Sequence, residues 1–465
     1  MSLTSSLYTA YSGASASQTG LTVTSGNMTN ANTTGYTRQR VTSSGIYPPT
    51  TYSSFNIGGG VAVSDIQSIS NQFLRQNSRS AATDLGYYDT QQQYLYQVET
   101  AYGDTLGYTV QTAADDFMNA WEELSKDPSS QAARATVYET GVAFSDSVSS
   151  FNDQIDAIEQ SALSEVADTV YQINAISTEL AAINKEVTKY PEGQVPLELI
   201  DKRELLLDDL SLLTDIEAVY QPDGTVDVIS GNGMLVHGNK NETLQTVATP
   251  PDGMLEVQWT SGMTYDTSGG SLGAVTALLD PDNSPSFTDT RETFNEGVMA
   301  IVDQVNALHG TGTGLNGETG LEFFVAVNPE LPLSPENMCV NPALEDVNKI
   351  GASASGGQGD GDIAYQLSEL QGKDIVTVDG KSSTMDQFFA SFTQKLGVQT
   401  QDATFHADSQ KELQTQLSSQ LAAVSSVSTD EELSNMMVYQ QAYNANITVM
   451  NMVDELIGNM IEELG

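Results

Sequence analysis

Basic residues are scarce in this chain. Only 17 of its 465 residues are Lys or Arg, against 61 Asp or Glu, and the formal net charge is −44. Nucleic-acid binding needs a basic footprint that displaces counterions, and docking on anionic lipid needs basic clusters. Both classes are therefore argued against. A single cysteine, Cys339, excludes an intramolecular disulfide framework. With no basic neighbour to lower its pKa, it reads as a small hydrophobe in a loop. No run of 18 apolar residues exists, so neither a transmembrane helix nor membrane insertion is expected. The start, Met1-Ser2-Leu3-Thr4-Ser5-Ser6, lacks a basic region and an apolar region, so no cleaved Sec-type signal peptide is expected. His237, His309 and His406 stand apart, and neither HExxH nor GxSxG occurs. A zinc or serine hydrolase thus has no recognisable ligands or nucleophile.

One absence is local. Residues 1–64 contain no Asp and no Glu. At the other end, residues 428–465 form a hydrophobic helical pattern that runs to the C-terminus. Most chains fray at their ends. Here both ends are built for contact with protein, while the acidic middle is built for water.

The N-terminal segment from Leu3 to about Met28 has helical spacing. Leu7, Ala14 and Leu21 recur every seven residues, with Leu3, Ala10, Ser17 and Thr24 on the adjoining seam. It holds Gly13, Gly20 and Gly26, each costing about 1 kcal/mol relative to Ala, so this helix needs a partner to persist. The Asn/Thr/Gly cluster from Asn27 to Tyr36 must end it. Residues 38–69 read as extended and looped, broken at Pro48-Pro49 and Gly58-Gly59-Gly60. From Ser70 to Leu213 the pattern is largely helical, with one long stripe of Ile155, Ile158, Ala162, Val166, Val170, Ile173, Ile176 and Leu180.

The period then changes to alternation, as in Thr225-Val226-Asp227-Val228-Ile229, with turns at Pro222-Asp223-Gly224 and Gly231-Asn232-Gly233. This predicts a small antiparallel β domain over 216–272. Helix returns at 273–279 and 288–308. Residues 310–362 are mostly irregular, a short strand pair lies near 375–378, and helices follow from 385 to 421. The last helix begins near Ser428, where Ser428 and Glu431 form a capping-box pattern. Its seam has Met436, Tyr443, Met450, Ile457 and Leu464 in one position and Leu433, Gln440, Ile447, Asp454 and Ile461 in the other. Gln440 and Asp454 are polar seam residues that either fix register or drift off the contact, with Val453 replacing Asp454.

The predicted fold class is mainly α with an inserted small β domain, terminal helices pairing as a coiled coil, and a middle helical bundle. The expected domains are 1–45 with 428–465 for assembly, 46–215 with 273–427 as the bundle (310–370 irregular), and 216–272 as the β domain.

Other chemistry fails at the level of context. Gly312-Thr313-Gly314-Leu315-Asn316-Gly317 fits GxGxxG, yet it follows a predicted helix and reads as a flexible loop. Residues 356–362, with Asp360 and Asp362, suggest a calcium-binding nonapeptide without its repeat. Asp280-Pro281-Asp282-Asn283 resembles the start of a calcium loop, but Arg291 stands where the closing Glu belongs. Calcium at Asp280/Asp282 or Asp360/Asp362 stays open. No catalytic, cofactor or metal residue is assigned.

Several segments together resemble the bacterial flagellar hook-associated protein 1 family. Asn27-Met28-Thr29-Asn30-Ala31-Asn32-Thr33-Thr34-Gly35-Tyr36-Thr37-Arg38-Gln39 resembles the Asn/Gly-Tyr-x-Arg-Gln element of flagellar axial proteins. Gly59-Gly60-Val61-Ala62-Val63, residues 195–204, Gly270-Ser271-Leu272-Gly273-Ala274, and Val340-Asn341-Pro342-Ala343-Leu344 are similar to further family segments. Tyr439-Gln440-Gln441-Ala442-Tyr443-Asn444-Ala445 resembles the family's C-terminal helix.

The resemblance implies a non-enzymatic subunit at the hook–filament junction, extracellular and exported by the flagellar type III route. It implies an interface at Leu3, Leu7, Ala14, Leu21, Asn30, Asn32, Gly35, Tyr36, Arg38, Leu433, Met436, Tyr439, Gln440, Tyr443, Ile447, Met450, Ile457, Ile461 and Leu464. The implied partners are further copies of itself in a ring, hook protein, the second hook-associated junction protein and an export chaperone on the C-terminal helix. The alternatives are a hook or distal-rod protein, which should turn β-rich soon after Tyr36, and a secreted enzyme on a flagellar scaffold. Whether the terminal helices pair parallel or antiparallel is open.

Overall fold

The computed structural model describes residues 3–46, 59–103, 109–191, 194–249, 254–378 and 380–464. The breaks expected at Pro48-Pro49 and Gly58 lie outside these residues. The described chain folds into two compact units, Met1–Asp84 with Ile173–Thr243 and Gln410–Gly465, and Leu85–Gln172 with Leu244–Ser409.

In the first unit, α1 (Leu3–Thr29) runs unbroken through its three glycines. A segment rich in Ser and Thr can do so because the hydroxyls bond their own helix: Ser17 Oγ donates to the Gly13 carbonyl at 2.8 Å and Thr22 Oγ1 to the Gln18 carbonyl at 3.1 Å. Where extended, looped chain was expected, β1 (Gln39–Gly45) and β2 (Val61–Ser68) form an antiparallel hairpin. Its register shifts between Thr42 and Ser43, and the extra residue, Ser64, donates to the Thr42 carbonyl at 2.9 Å.

Helices α2 (Gln72–Tyr102), α3 (Val110–Lys126), α4 (Gln131–Val187) and α5 (Leu197–Leu213) occupy the stretch read as helical. The α4 stripe is buried as expected except at one position. Ile176 is half-buried, while Ser177 is fully buried and bonds the Ile173 carbonyl at 2.7 Å.

The strands expected over 216–272 are present, divided between two sheets. β3 (Glu217–Tyr220), β4 (Val226–Ser230), β5 (Gly233–His237) and β6 (Lys240–Asn241) form an antiparallel sheet in that order. Asn184 on α4 ties it down, donating to the Val226 and Gly238 carbonyls at 2.7 Å each and accepting from the Val226 amide at 3.0 Å. β7 (Leu244–Thr249) and β8 (Met254–Trp259) form a separate hairpin in the second unit, where Trp259 packs edge-on to Tyr265.

The second unit continues with α6 (Gly270–Leu279), α7 (Phe287–His309), β9 (Phe324–Ala326), β10 (Met338–Val340), α8 (Asp362–Ser368), β11 (Val376–Val378) and β12 (Lys381–Ser383). Its core is aromatic, with Phe117, Trp121, Phe144, Phe323 and Phe324 in one cluster. Tyr102, Phe151, Phe294 and Phe392 form another. Cys339 lies in β10 and not in a loop; it is half-buried, and burial pushes its thiol pKa up. α9 (Met385–Ser425) is one continuous helix, and α10 (Thr429–Leu464) ends the described chain.

The GxGxxG segment is not flexible. Thr313 and Gly314 donate backbone hydrogen bonds to Ser353 and Glu318 at 2.8 and 2.9 Å, and a Cβ on Gly312 would lie 2.3 Å from the Gly351 carbonyl. These glycines permit close backbone packing. His309 is buried beside them, its Nδ1 2.7 Å from the Leu321 carbonyl and its Nε2 accepting from the Gly351 amide at 2.9 Å. That pattern requires a neutral ring, and burial lowers its pKa to about 4.

Candidate assembly interface

α1 and α10 pack against each other in opposite directions. A Cβ on Gly13 would lie 2.7 Å from the Asn446 side chain, and one on Gly20 would lie 2.6 Å from the Tyr439 ring. One further step of seven, Asn27 donates to Glu432 at 3.1 Å. The contacts thus advance by seven residues on each helix. Gly13 and Gly20 are seats for larger partner side chains, which is why glycines that weaken an isolated helix are useful here. Ala10, Ser17 and Thr24 are buried beside them.

At the end of α1 the chain turns and is fastened on two sides. Gly35 takes φ +79°, a conformation glycine adopts without strain. Asn27 is 1% exposed and uses its whole amide. Its Oδ1 accepts from the Tyr36 hydroxyl at 2.9 Å and the Gln39 amide at 3.0 Å, and its Nδ2 donates to the Gln39 carbonyl at 2.9 Å as well as to Glu432.

Arg38 extends the link to α10. Its Nε donates to Glu432 at 2.7 Å and its Nη1 to Glu431 at 3.0 Å. Burial opposes the Arg38 charge, but the two glutamates outweigh it and hold the pKa above its ordinary value. Tyr36 is pushed up to about 12, first by burial and then by Asp201, Glu198 and Glu432.

On the other side the turn is tied to α5. The Thr37 amide donates to Asp201 at 3.1 Å, and Arg75 donates to the Thr37 hydroxyl at 3.2 Å. α5 is itself anchored at Glu204, which accepts from Arg79 at 2.8 Å, from Arg203 at 2.8 Å and from the Tyr220 hydroxyl at 2.7 Å. Burial works against this carboxylate, yet Arg203 and Arg79 hold its pKa down at about 2.

The outward faces of the two helices carry no charge either. α1 has no charged residue, and α10 has none from Leu433 to Val453. A second heptad-spaced stripe on α10, Val438, Ala442, Ala445, Val449, Met452 and Leu456, is left mostly exposed.

Comparison with known proteins fits this construction. The family model "Flagellar hook-associated protein FlgK helical domain" matches residues 95–324, and "Flagellar basal body rod FlgEFG protein C-terminal" matches residues 420–463. The flagellar hook-associated protein 1 of Bacillus subtilis strain 168 is 26% identical, over 99% of this chain and 98% of its own. That of Escherichia coli K12 is 22% identical, over 99% of this chain and 100% of its own. Over nearly its full length the chain is similar to the flagellar hook-associated protein 1 family. The solved structure of the flagellar hook junction protein FlgK from Burkholderia pseudomallei shares the fold, with a TM-score of 0.64 at 15% identity, over 76% of this chain and 100% of that one.

Among the residues that the family resemblance marks, the structure brings Tyr36, Arg38 and Tyr439 into the contacts above. Ala14 is buried, and Leu3, Leu7 and Leu21 on α1 are half-buried. Asn30 closes the helix end, donating to the Gly26 carbonyl at 3.1 Å and accepting from Thr33 at 3.3 Å, while Asn32 is exposed.

On α10, Met436, Tyr443, Ile447, Met450 and Ile457 are half-buried. Leu433, Gln440, Asp454 and Ile461 are exposed, and Val453, at 6%, is buried instead of Asp454. The α1-facing line is therefore Glu432, Tyr439, Asn446 and Val453, one residue from the second predicted seam position. The side chain of Leu464 lies outside the described residues.

Asn27, Glu432, Gly13, Gly20 and Asn446 were not assigned to the interface. The signal that could have found them is the shared seven-residue step between Gly13, Gly20 and Asn27 and between Glu432, Tyr439 and Asn446.

The acidic motifs serve local structure. Asp360 accepts from the Ser353 and Ser355 hydroxyls at 2.8 and 2.6 Å and from the Ser355 and Asp362 amides at 2.7 and 3.0 Å, which holds it well below the usual carboxylate range. Asp280 accepts from the Asp282 amide at 3.0 Å. Among the described residues, no group of three or more His, Cys, Asp or Glu side chains is placed to hold a metal ion, and no helix is long and apolar enough to cross a membrane.

Proposed function

We propose that this chain is a structural subunit of the flagellar hook–filament junction that assembles through α1 and α10, with residues 1–45 and 428–465 as the assembly element. One observation carries the reading. In a chain of net charge −44, these two helices are free of charge on every side over most of their length, including the sides that face away from each other. A helix without charged side chains avoids the large cost of taking charge out of water, which suits it to burial against other protein. α1 covers one stripe of α10, and the Val438–Leu456 stripe remains for neighbouring subunits.

In this reading the partners are further copies of the same chain in a ring, hook protein below and the second hook-associated junction protein beyond. An export chaperone covers α10 before assembly, and the chain leaves by the flagellar type III route. The protein acts by polymerisation and not by catalysis. The hook or distal-rod alternative expects a β-rich chain soon after Tyr36; one hairpin, β1 with β2, does follow, but helices α2 to α5 then fill most of residues 72–213.

Val449→Glu with Leu456→Glu tests the reading, because both side chains are exposed beside the α1 contact. The variant is expected to stay folded and soluble yet to be absent from hook tips imaged by electron microscopy. Normal incorporation of that variant, or of chains lacking residues 1–30, would sink the proposal.

A further inference from the structure

The glycine seats of the α1–α10 seam repeat every seven residues and so determine its alignment only in part. Gly13 seats Asn446 and Gly20 seats Tyr439. Sliding one helix by a heptad, about 10.5 Å at 1.5 Å per residue, places Gly13 opposite Tyr439. Sliding it the other way places Gly20 opposite Asn446 and Gly13 opposite Val453. In each case one glycine faces a side chain that the other seats natively or, for Val453, one that neither seats; the first shift sets Asn446 against Ser6 and the second sets Tyr439 against Asn27. The other buried α1 residues before Asn27, namely Ala10, Ser12, Ala14, Ser17 and Thr24, are small and add little shape to distinguish the choices.

The end of the pair carries a second and charged determinant. Glu432 is 2% exposed and is held by Asn27 at 3.1 Å and Arg38 at 2.7 Å. Asn27 can reach it because Tyr36 and Gln39 orient the amide, and Arg38 is fixed in turn by its own amide, which donates to the Ser425 carbonyl at 2.9 Å. In the first shifted alignment Glu432 would face Gly20, away from both partners. In the second, Asn27 would face Tyr439. Either shift strips a buried carboxylate of its partners, which is strongly unfavourable.

We infer that Asn27, Arg38 and Glu432 form a register lock that, together with the two glycine seats, selects one of three heptad-related alignments of α1 on α10. The inference rests on the terminal helices being the assembly element, and it gives the Asn-to-Arg turn a specific task. The lock sets which α10 side chains the subunit presents outward at each level. Asn27 and Glu432 are positioning residues in this sense, since they act through the alignment of others.

Disulfide trapping in the full-length protein tests it. Cys339 is the single native thiol and is first replaced, Cys339→Ser. Gly13→Cys/Asn446→Cys reports the native alignment. Gly13→Cys/Tyr439→Cys and Gly13→Cys/Val453→Cys report the two shifted ones, which are out of disulfide reach in the native alignment.

With the lock intact, only the native pair is expected to cross-link. Adding Glu432→Ala should lower the native yield about tenfold and raise a shifted pair, while Glu432→Gln, which keeps an acceptor for Asn27, should have a smaller effect. An unchanged native yield in Glu432→Ala would overturn the lock. So would loss of the native pair with neither shifted pair appearing, because Glu432 would then only hold the helices together. Failure of the native pair to form with the lock intact would instead overturn the pairing of the terminal helices.

Discussion

Asn27 donates a hydrogen bond to Glu432 at 3.1 Å although the two residues are 405 positions apart in the chain. This bond joins the last turn of the first helix to the first turn of the last one. Everything between them in sequence must fold so as to bring these two side chains together. The predictions below probe that junction and the charged and aromatic groups that support each unit.

Asn27→Ala removes one amide that satisfies four groups: the Tyr36 hydroxyl, the Gln39 amide and carbonyl, and Glu432. Leaving buried polar groups unpaired should cost about 2 kcal/mol or more, read as about 30-fold faster amide exchange in α1. Asn27→Asp should be worse, because it sets a second carboxylate against Glu432. Wild-type protection of α1 in Asn27→Asp would show that the hub does not hold the helix.

Gly20→Ala should separate α1 from α10, since its Cβ would meet the Tyr439 ring at 2.6 Å. The expected loss is about 1–3 kcal/mol. Tyr439→Ala in the same chain should recover part of it, giving a favourable coupling in a double-mutant cycle. Strict additivity of the two changes would contradict the close contact.

Glu204 should make the first unit acid-sensitive. Its pKa falls from an ordinary 4.5 to about 2 because Arg203 and Arg79 outweigh the effect of burial. A depressed carboxylate contributes stability above its unfolded pKa, and that contribution is lost as pH falls through the folded value. Glu204→Gln leaves Arg203 without a carboxylate and Arg79 with Asp208 alone, at 2.7 Å, and should cost about 3–5 kcal/mol at pH 7. It should also flatten the acid limb between about pH 4.5 and 2, measured by denaturant melts that follow Tyr220.

Asp115 and His309 should give the second unit opposite slopes. Burial, with Asp386 beside it, raises Asp115 to about 6. The folded state then holds this proton more tightly than the unfolded one, so stability is fully present below the ordinary 3.8 and is lost as pH rises through about 6. Asp115→Asn should remove that loss and stabilise the protein at pH 8.

His309, lowered by burial from 6.5 to about 4, behaves the other way: its contribution is present above 6.5 and is lost as pH falls through about 4. Thermal melts of Asp115→Asn and His309→Gln across pH 4–8 separate the two. An unchanged pH profile in either variant would refute the corresponding assignment.

Much of this architecture is written in local pattern. The periods of α4, α5 and α10, the alternation of β3 to β5 and the glycine turns between them follow from side-chain spacing. Spacing reports which face of an element is apolar, and a single strong face survives into the fold. The family, too, is legible, because its signature residues lie in short continuous segments spread along the chain.

The alignment of the ends belongs to the tertiary structure. An α-helix has 3.6 residues per turn, so a seven-residue pattern drifts, and hydropathy alone cannot say whether Val453 or Asp454 faces the partner. The structure puts Val453 inside. Hydropathy also counts Gly13 and Gly20 only as weak helix formers, because their value lies in the Asn446 and Tyr439 side chains that they admit. The same holds for Asn27, Arg38 and Glu432. Composition places a polar amide, a cation and a carboxylate in separate stretches of sequence. Only folding brings them within hydrogen-bond distance, where removal from water makes each dependent on the others.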